Sequence, residues 1–358
     1  MKDSRPTIYD PNFLPTNIYS GVPTFLNLPV LENKEDLNKV DVAVMGVPWE
    51  GGCTIGGYSS CTDGPKSIRT ASIRYTGYLP DFDIDSFEHL TGGDYGDVAV
   101  QNGNYEFTFA QIRERYGELL DAKCVPIVLG GDHGIAYPLI SEMAKRHPKK
   151  VGVLHFDAHL DNYDNFGDDK YSRCSPFFQL YNDPNMDATK IAHIGIRGPR
   201  NHQQEYRNAQ KYGATVIPCR EIKEEGWKAA IKKALAVVSK DTEVIYITIC
   251  ADALDAAYMP QGPQDMGGLT SYELLSMVAT SSSNGEVKLS SGFASGYASF
   301  SVASAALMRS AFCFLLSRMF SAPFLCEYIQ IHANYIRTWA YFATRAAFYL
   351  GLCYNDSN

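Results

Sequence analysis

The sequence predicts an α/β protein of three layers, α/β/α, built around a mainly parallel sheet. Three observations predict it. From about Lys39, short runs rich in Val and Ile alternate with amphipathic helical stretches. Several of those runs lack a polar alternation, as strands covered on both faces do. His and Asp cluster where the runs end, and open α/β sheets gather their function at the carboxyl ends of strands.

The strand candidates are Val40–Val47, Pro126–Gly130, Val151–Asp157, Ile191–Ile196, Ala214–Pro218 and Glu243–Cys250. Helix candidates lie between them. Phe109–Lys123 sets Ile112, Tyr116, Leu119 and Leu120 on one stripe, and Ile135–Arg146 follows a Gly-rich turn. Trp227–Ser239 brings Ala230, Ile231, Leu235 and Val238 to helical spacing, with Lys on the other face. Repetition of strand and helix implies helices on both sides of one sheet.

The pattern divides the chain into an N-terminal extension, 1–35, an α/β domain, 36–278, and a tail, 279–358, of different character. Eight of the last 80 residues are charged against 64 of the first 278, and no strand–helix alternation is evident in the tail. Its apolar stretches, Leu307–Leu316 and Tyr341–Leu352, are broken by Arg309 and Arg345 and fall short of the roughly 18 to 20 apolar residues of a membrane span.

Hydrophobic residues make up 45% and charged residues 20%, the balance of an ordinary soluble protein. A net charge of −8 argues against a general affinity for nucleic acid or anionic membranes and suits a cationic substrate. Nine scattered cysteines without a CxxC pair read as reduced thiols, and Met1–Asp10 holds no hydrophobic signal core, so a cytoplasmic location is expected.

Three strand ends carry chemistry. In Gly130-Gly131-Asp132-His133-Gly134 a strand runs into a helix, and the glycines permit a turn tight enough to project His133 at the mouth of the sheet. In His155-Phe156-Asp157-Ala158-His159-Leu160-Asp161, alternate positions of an extended chain share a face, so Asp157, His159 and Asp161 are expected to converge. One nitrogen and two carboxylates suit Mn²⁺, Zn²⁺ or Ni²⁺ better than Ca²⁺. His155 shares that face and reads as a packing residue behind the ligands. In Cys250-Ala251-Asp252-Ala253-Leu254-Asp255, Cys250 and Asp252 share a face and Asp255 falls in the turn. Singly, a His at a strand end is usually structural and an Asp there is usually a helix cap. Three clusters at three strand ends point to a metal site.

With these motifs the sequence resembles the ureohydrolases, the family of arginase, agmatinase, guanidinobutyrase, guanidinopropionase and formimidoylglutamase. The signatures are the GGDH turn of 130–133, the DAHxD strand end of 157–161, and the segment from Cys250 to Asp255 followed by Pro260, Gly262 and Gly267-Gly268-Leu269-Thr270. Supporting matches are Gly46-Val47-Pro48, Gly64-Pro65-Lys66-Ser67-Ile68-Arg69 and His193-Ile194-Gly195-Ile196-Arg197-Gly198, and the likeness runs from about residue 20 to about 278. The Asp of the GGDH turn leans towards the agmatinase-like branch.

The resemblance implies an arginase-like fold and two divalent metal ions, Mn²⁺ first with Ni²⁺ or Zn²⁺ as alternatives. It implies that His133, Asp157 and Asp161 hold one ion and Asp157, His159 and Asp252 the other, with position 250 shared. Asp161 would also orient the attacking hydroxide and carry its proton to the leaving nitrogen. The implied reaction hydrolyses a small guanidino substrate to urea and an amine, and the implied assembly is a homo-oligomer, trimer or hexamer.

The sequence departs from the family at four places. Cys250 stands where the family has a bridging aspartate; a thiolate there is a softer ligand favouring Zn²⁺, Ni²⁺ or Fe²⁺ over Mn²⁺, and a buried apolar thiol leaves both ions a ligand short. In Tyr171-Ser172-Arg173-Cys174-Ser175-Pro176-Phe177, Arg173 replaces a family His; it either grips a substrate carboxylate, which suits a guanidino acid, or forms a surface ion pair. The segment Cys53–Asp63 replaces an Arg-Pro-Gly loop. A final strand bearing Asp and Glu is not recognisable, Glu286 and Glu327 being the only glutamates after residue 280, and its loss is expected to expose one edge of the sheet. Two rival readings follow: a non-catalytic member of the family, and a hydrolase of a related formimino or amidine substrate.

Overall fold

Runs of Val and Ile become strands because β-branched side chains are stiff at χ1 and pack well on a pleated surface. The computed structural model of the chain describes residues 6, 21–51, 61–80, 83–122, 124–259, 265–283 and, as strand backbone, 328–333. In chain order the elements are β1 (Val42–Val47), α1 (Gly64–Ser72), a small hairpin of β2 (Tyr78–Leu79) and β3 (Ile84–Asp85), β4 (Gly92–Asp97), α2 (Tyr105–Asp121) and β5 (Val125–Gly130). Then follow α3 (Ala136–Arg146), β6 (Val151–Phe156), α4 (Pro176–Tyr181), β7 (Ile191–Ile196), α5 (Gln203–Tyr212), β8 (Thr215–Pro218), α6 (Cys219–Glu225), α7 (Trp227–Val238), β9 (Val244–Cys250), α8 (Ser271–Ser283) and β10 (Tyr328–Ala333).

The eight-stranded sheet runs β4-β1-β5-β10-β9-β6-β7-β8. Every neighbouring pair is parallel except those of β10, which lies antiparallel to both β5 and β9. Side chains of β1 divide by parity. Val42 and Val44 pack on the face covered by Ile68 of α1, Ile231 of α7 and Met277 of α8. Ala43 and Met45 pack on the opposite face with Tyr116 of α2, Leu139 of α3 and Leu180 of α4. A sheet with a separate core on each side is the three-layer arrangement that the continuous apolar runs predict. Among the described residues no helix is long and apolar enough to cross a membrane.

The six strand candidates and three helix candidates form, with no end shifted by more than four residues. Besides the small β2–β3 hairpin, two strands of the large sheet are additional. β4 reads Gly-Gly-Asp-Tyr-Gly-Asp, a composition depleted of strand formers, and survives as an edge strand because Leu28 and Leu31 lie against Gly92 and Gly93. β10 comes from the tail and fills the slot between β5 and β9. The expectation that losing the family's final strand bares a sheet edge is therefore corrected: that slot is interior, and the edges are β4 and β8. Glu286, Glu327 and most of Cys53–Asp63 lie outside the described residues.

One polar knot ties the first part of the chain together. Asp94 on β4 accepts from Nε and Nη2 of Arg69 at 2.7 and 2.9 Å, and also from the Phe25 backbone N–H at 2.8 Å. Asp94 and Arg69 are 2% and 6% exposed, so the ion pair is shielded from solvent and joins α1, β4 and the segment at Phe25. Removing one partner strands the other charge. Arg69→Leu is expected to lower unfolding free energy by about 3–5 kcal/mol, measured by urea denaturation, and a loss under about 1 kcal/mol would show that the knot bears little of the fold.

Candidate metal centre

At the end of β5 the chain turns sharply. A Cβ on Gly131 would lie 2.5 Å from the Val47 carbonyl oxygen and 2.6 Å from that of Trp49, so only glycine fits. Asp132 shapes the turn, accepting from Gly134 N at 2.9 Å and Gly51 N at 2.6 Å. His133 is thereby turned inward and fully buried. Its Nδ1 stands 3.0 Å from Asp157 Oδ2 and 2.8 Å from Asp161 Oδ2, while Nε2 meets Thr248 Oγ1 on β9 at 3.0 Å.

The second cluster differs from the extended face expected of it. The sheet ends at Phe156, and Asp161 takes a left-handed conformation with φ 46°, costing on the order of 1–3 kcal/mol. That turn sends Asp161 back to His133, while His159 faces the other way. His159 Nδ1 lies 3.2 Å from Asp252 Oδ2 and 3.5 Å from Asp157 Oδ1. The residues thus form two adjacent groups rather than one. Donor atoms of His133, His155, Asp157 and Asp161 lie within 4.8 Å of one another, as do those of Asp157, Cys250 and Asp252. Asp157 belongs to both. Cys250, 1% exposed, also packs against Cys61.

Burial dominates the electrostatics. Desolvation, then the Asp157 charge, raises Asp161 to about 6 and raises Asp252 as well. Asp157 goes the other way: burial pushes it up, and hydrogen bonds from His133, His155 and His159 outweigh that and hold it low. For the imidazoles, burial pushes His133 and His159 down, but the surrounding carboxylates prevail and lift them to about 10 and about 12. A single nitrogen, His133 Nδ1, faces two carboxylate oxygens with at most one hydrogen to give. Such a surplus of buried acceptors and negative charge fits a cation. Mixed oxygen, nitrogen and sulfur donors suit a transition-type divalent ion.

Several residues that hold this arrangement escape a sequence reading. Asp265 accepts from His159 Nε2 at 2.8 Å, which fixes that ring with Nδ1 towards Asp157 and Asp252. Arg197, within a matched motif but without an assigned role, gives its guanidinium to backbone carbonyls. Nη2 reaches those of Asp252, Leu254 and Asp265, each at 2.8 Å, and Nε reaches that of Asp265 at 3.0 Å. Nothing in an Asp within a Pro- and Gly-rich loop, or in a lone Arg after β7, marks these tertiary roles. Asp255 is structural, accepting from Ala257 N and Gly268 N at 3.0 and 2.9 Å. His155 bonds Asp157 Oδ2 through Nε2 at 2.9 Å, behind the cluster. Arg173 stands half-buried beside the His133 turn: burial raises Asp132 to about 6, and the Arg173 charge is among the groups that oppose the rise.

Most of the chain also matches known proteins. Residues 40–289 match the model of the arginase family. The guanidino acid hydrolase of Homo sapiens mitochondria is 33% identical over 261 residues, 72% of this chain and 71% of that protein. The mitochondrial agmatinase of Gallus gallus is 32% identical, covering 72% of this chain and 74% of that one. The crystal structure of a hypothetical agmatinase from Burkholderia thailandensis superposes with a TM-score of 0.65 at 25% identity, over 85% of this chain and 94% of its own.

Arg197 offers a direct test of the clasp. Lysine keeps the charge but cannot reach three separate carbonyls, leaving half-buried acceptors unmet. Arg197→Lys is expected to cost about 2–4 kcal/mol in a urea melt. Unchanged stability would mean that solvent replaces the guanidinium freely.

Proposed function

The chain belongs to the arginase family, and on that premise we propose that it hydrolyses a C–N bond of a guanidino compound, releasing urea and an amine. The observation that carries the proposal is the paired cluster sharing Asp157: imidazole and carboxylate donors buried at three strand ends, with too few hydrogens to satisfy one another.

In this reading His133, Asp157 and Asp161 hold one divalent ion and His159, Asp157 and Asp252 the other. The Cys250 thiolate is a shared ligand that shifts preference from Mn²⁺ towards Zn²⁺ or Ni²⁺. Bound there, the ions supply Lewis acidity that lowers the pKa of a water towards neutrality. Asp161 would orient a water, take its proton as it adds to the guanidino carbon, and deliver that proton to the nitrogen that leaves. Asp265 holds His159 in the tautomer that leaves Nδ1 free to ligate. Arg173 grips a substrate carboxylate with two parallel N–H groups, which selects a guanidino acid over agmatine. Its place at the rim of the His133 turn supports this, as does the likeness to the human guanidino acid hydrolase.

Protein from cultures supplied with Mn²⁺, Ni²⁺ or Zn²⁺ is expected to carry about two ions per chain by elemental analysis and to release urea in a screen of guanidino compounds. One ion or none with no urea would establish the non-catalytic reading, and formamide in place of urea would establish a formimino substrate. Arg173→Ala is expected to raise KM for guanidino acids at least about tenfold while leaving agmatine nearly untouched. An equal effect on both would remove Arg173 from substrate selection.

A further inference from the structure

We propose that Tyr181, His193 and His155 form a one-way hydrogen-bonded chain that positions the Asp157 carboxylate and so sets how tightly the centre holds its metal. The second half of this proposal rests on the metal-centre reading above; the chain itself does not.

Parallel pairing of β6 with β7 brings His155 and His193 into direct register. Their Nδ1 atoms are 2.7 Å apart. His155 Nε2 reaches Asp157 Oδ2 at 2.9 Å, and His193 Nε2 reaches the Tyr181 hydroxyl at 2.6 Å. Helix α4 supplies both the end of the chain and its cover. Tyr181 is its last residue, and Phe177, four residues earlier and on the same face, stacks on His155 with ring centroids 4.1 Å apart. Beyond Tyr181, Asn162 Nδ2 approaches the phenol oxygen at 3.4 Å and donates to the Glu205 carbonyl at 2.9 Å. Asn162, His193 and His155 are fully buried and Tyr181 is 7% exposed, so water does not substitute for these partners.

Both ends of the chain impose the same direction. Asp157 is an acceptor, so His155 donates through Nε2 and keeps a lone pair on Nδ1. His193 must then donate through Nδ1, which leaves its Nε2 to accept from Tyr181. At the far end, the Glu205 carbonyl only accepts, which fixes the Asn162 nitrogen on its side and towards the phenol. Tyr181 therefore receives from Asn162 and has His193 Nε2 as the acceptor for its own hydrogen. A proton on both nitrogens of His155 would reverse His193 and leave the phenol hydrogen with nowhere to go. Only one arrangement gives every hydrogen along the chain an acceptor: His155 protonated on Nε2, His193 on Nδ1, and each donor pointing towards Asp157.

The consequence is remote control. Loss of the phenol hydrogen removes one of the two ends that fix the direction, and the competing form, with the His193 proton on Nε2, gains population. Its Nδ1 then becomes an acceptor facing His155 Nδ1, His155 follows by moving its own proton to Nδ1, and Asp157 loses its donor. A carboxylate shared by both halves of the centre would then swing or face an unpaired imidazole lone pair. Tyr181, His193 and His155 are positioning residues in this scheme, acting through Asp157 rather than on substrate.

The test uses the full chain with ¹⁵N-labelled histidine, free of metal, read by long-range ¹H–¹⁵N correlation. His193 is expected as the Nδ1–H tautomer and His155 as Nε2–H; an Nε2–H His193, or a cationic ring at neutral pH, overturns the chain without any variant being needed. In Tyr181→Phe, with only the Asp157 end left to fix the direction, an inverted share of both rings is expected. The Mn²⁺ dissociation constant, by chelator competition, should rise about tenfold, the lower end of what removing an outer partner of a metal ligand does. His155→Phe, which keeps the stack on Phe177 but cannot donate, should lose at least as much, and His155→Gln, which restores a donor near Nε2, should recover most of it. Correct tautomers with Tyr181→Phe binding Mn²⁺ as tightly as the parent would overturn the positioning role. A parent chain that binds none of Mn²⁺, Ni²⁺ and Zn²⁺ would instead sink the metal-centre reading, with the tautomers still deciding the chain.

Discussion

Three carboxylates and two imidazoles crowd one pocket almost wholly out of water, and the rest of the structure is arranged around that constraint. Like charges a few ångströms apart in a poorly solvated site repel strongly, and desolvation penalises each ionised form besides. Asp161 and Asp252 are pushed up in consequence, while Asp157, flanked by three imidazoles, alone stays firmly ionised. A fold holding such a cluster needs a framework stiff enough to resist its spreading.

That framework comes from groups with no part in the cluster itself. β5, β6 and β9 place the three motifs at one edge-on mouth of the sheet, and β10 locks β5 to β9 between them. Arg197 then spends its guanidinium on main-chain carbonyls from the two segments that carry Asp252 and Asp265. Arg197 forms no ion pair with the carboxylates of the cluster; its effect there is geometric, holding the turn after β9 against the loop that orients His159. Asp132 plays the corresponding part for His133 through two backbone N–H groups. The division is consistent across the site: charge faces inward, and uncharged backbone bonds fix where it sits.

Most of this was legible where chemistry and local pattern coincide. The strands β1, β5, β6, β7, β8 and β9 announce themselves because burial on both faces demands apolar runs, and the His and Asp beyond them interrupt those runs abruptly. β4 was not legible, since a strand of glycines and aspartates owes its form to Leu28 and Leu31 lying over it. Nor was β10, whose pairing is set by strands more than seventy residues away. An alternate-face argument picks out Asp157, His159 and Asp161, but the backbone does not follow it; the left-handed turn at Asp161 sets Asp161 and His159 on opposite sides of Asp157. Asp265 and the clasp of Arg197 are contacts between segments distant in sequence, and no spacing rule reaches them.

Cys250 fits the same energetic account. Where the resembled family has a further aspartate, the pocket would bury another carboxylate beside Asp157 and Asp252. A thiol is neutral when protonated, so at 1% exposure against Cys61 it costs far less to bury than that carboxylate would. On the proposed reading, a divalent ion that drew off its proton would make it an anionic ligand of the same charge as the group it replaces. The substitution therefore eases the metal-free fold while conserving charge in the loaded one, and the difference it leaves is softness. Because Cys250 sits beside Asp157, the residue common to both halves of the cluster, a thiolate ligand there would bear on the choice of metal for the whole centre rather than for one ion alone.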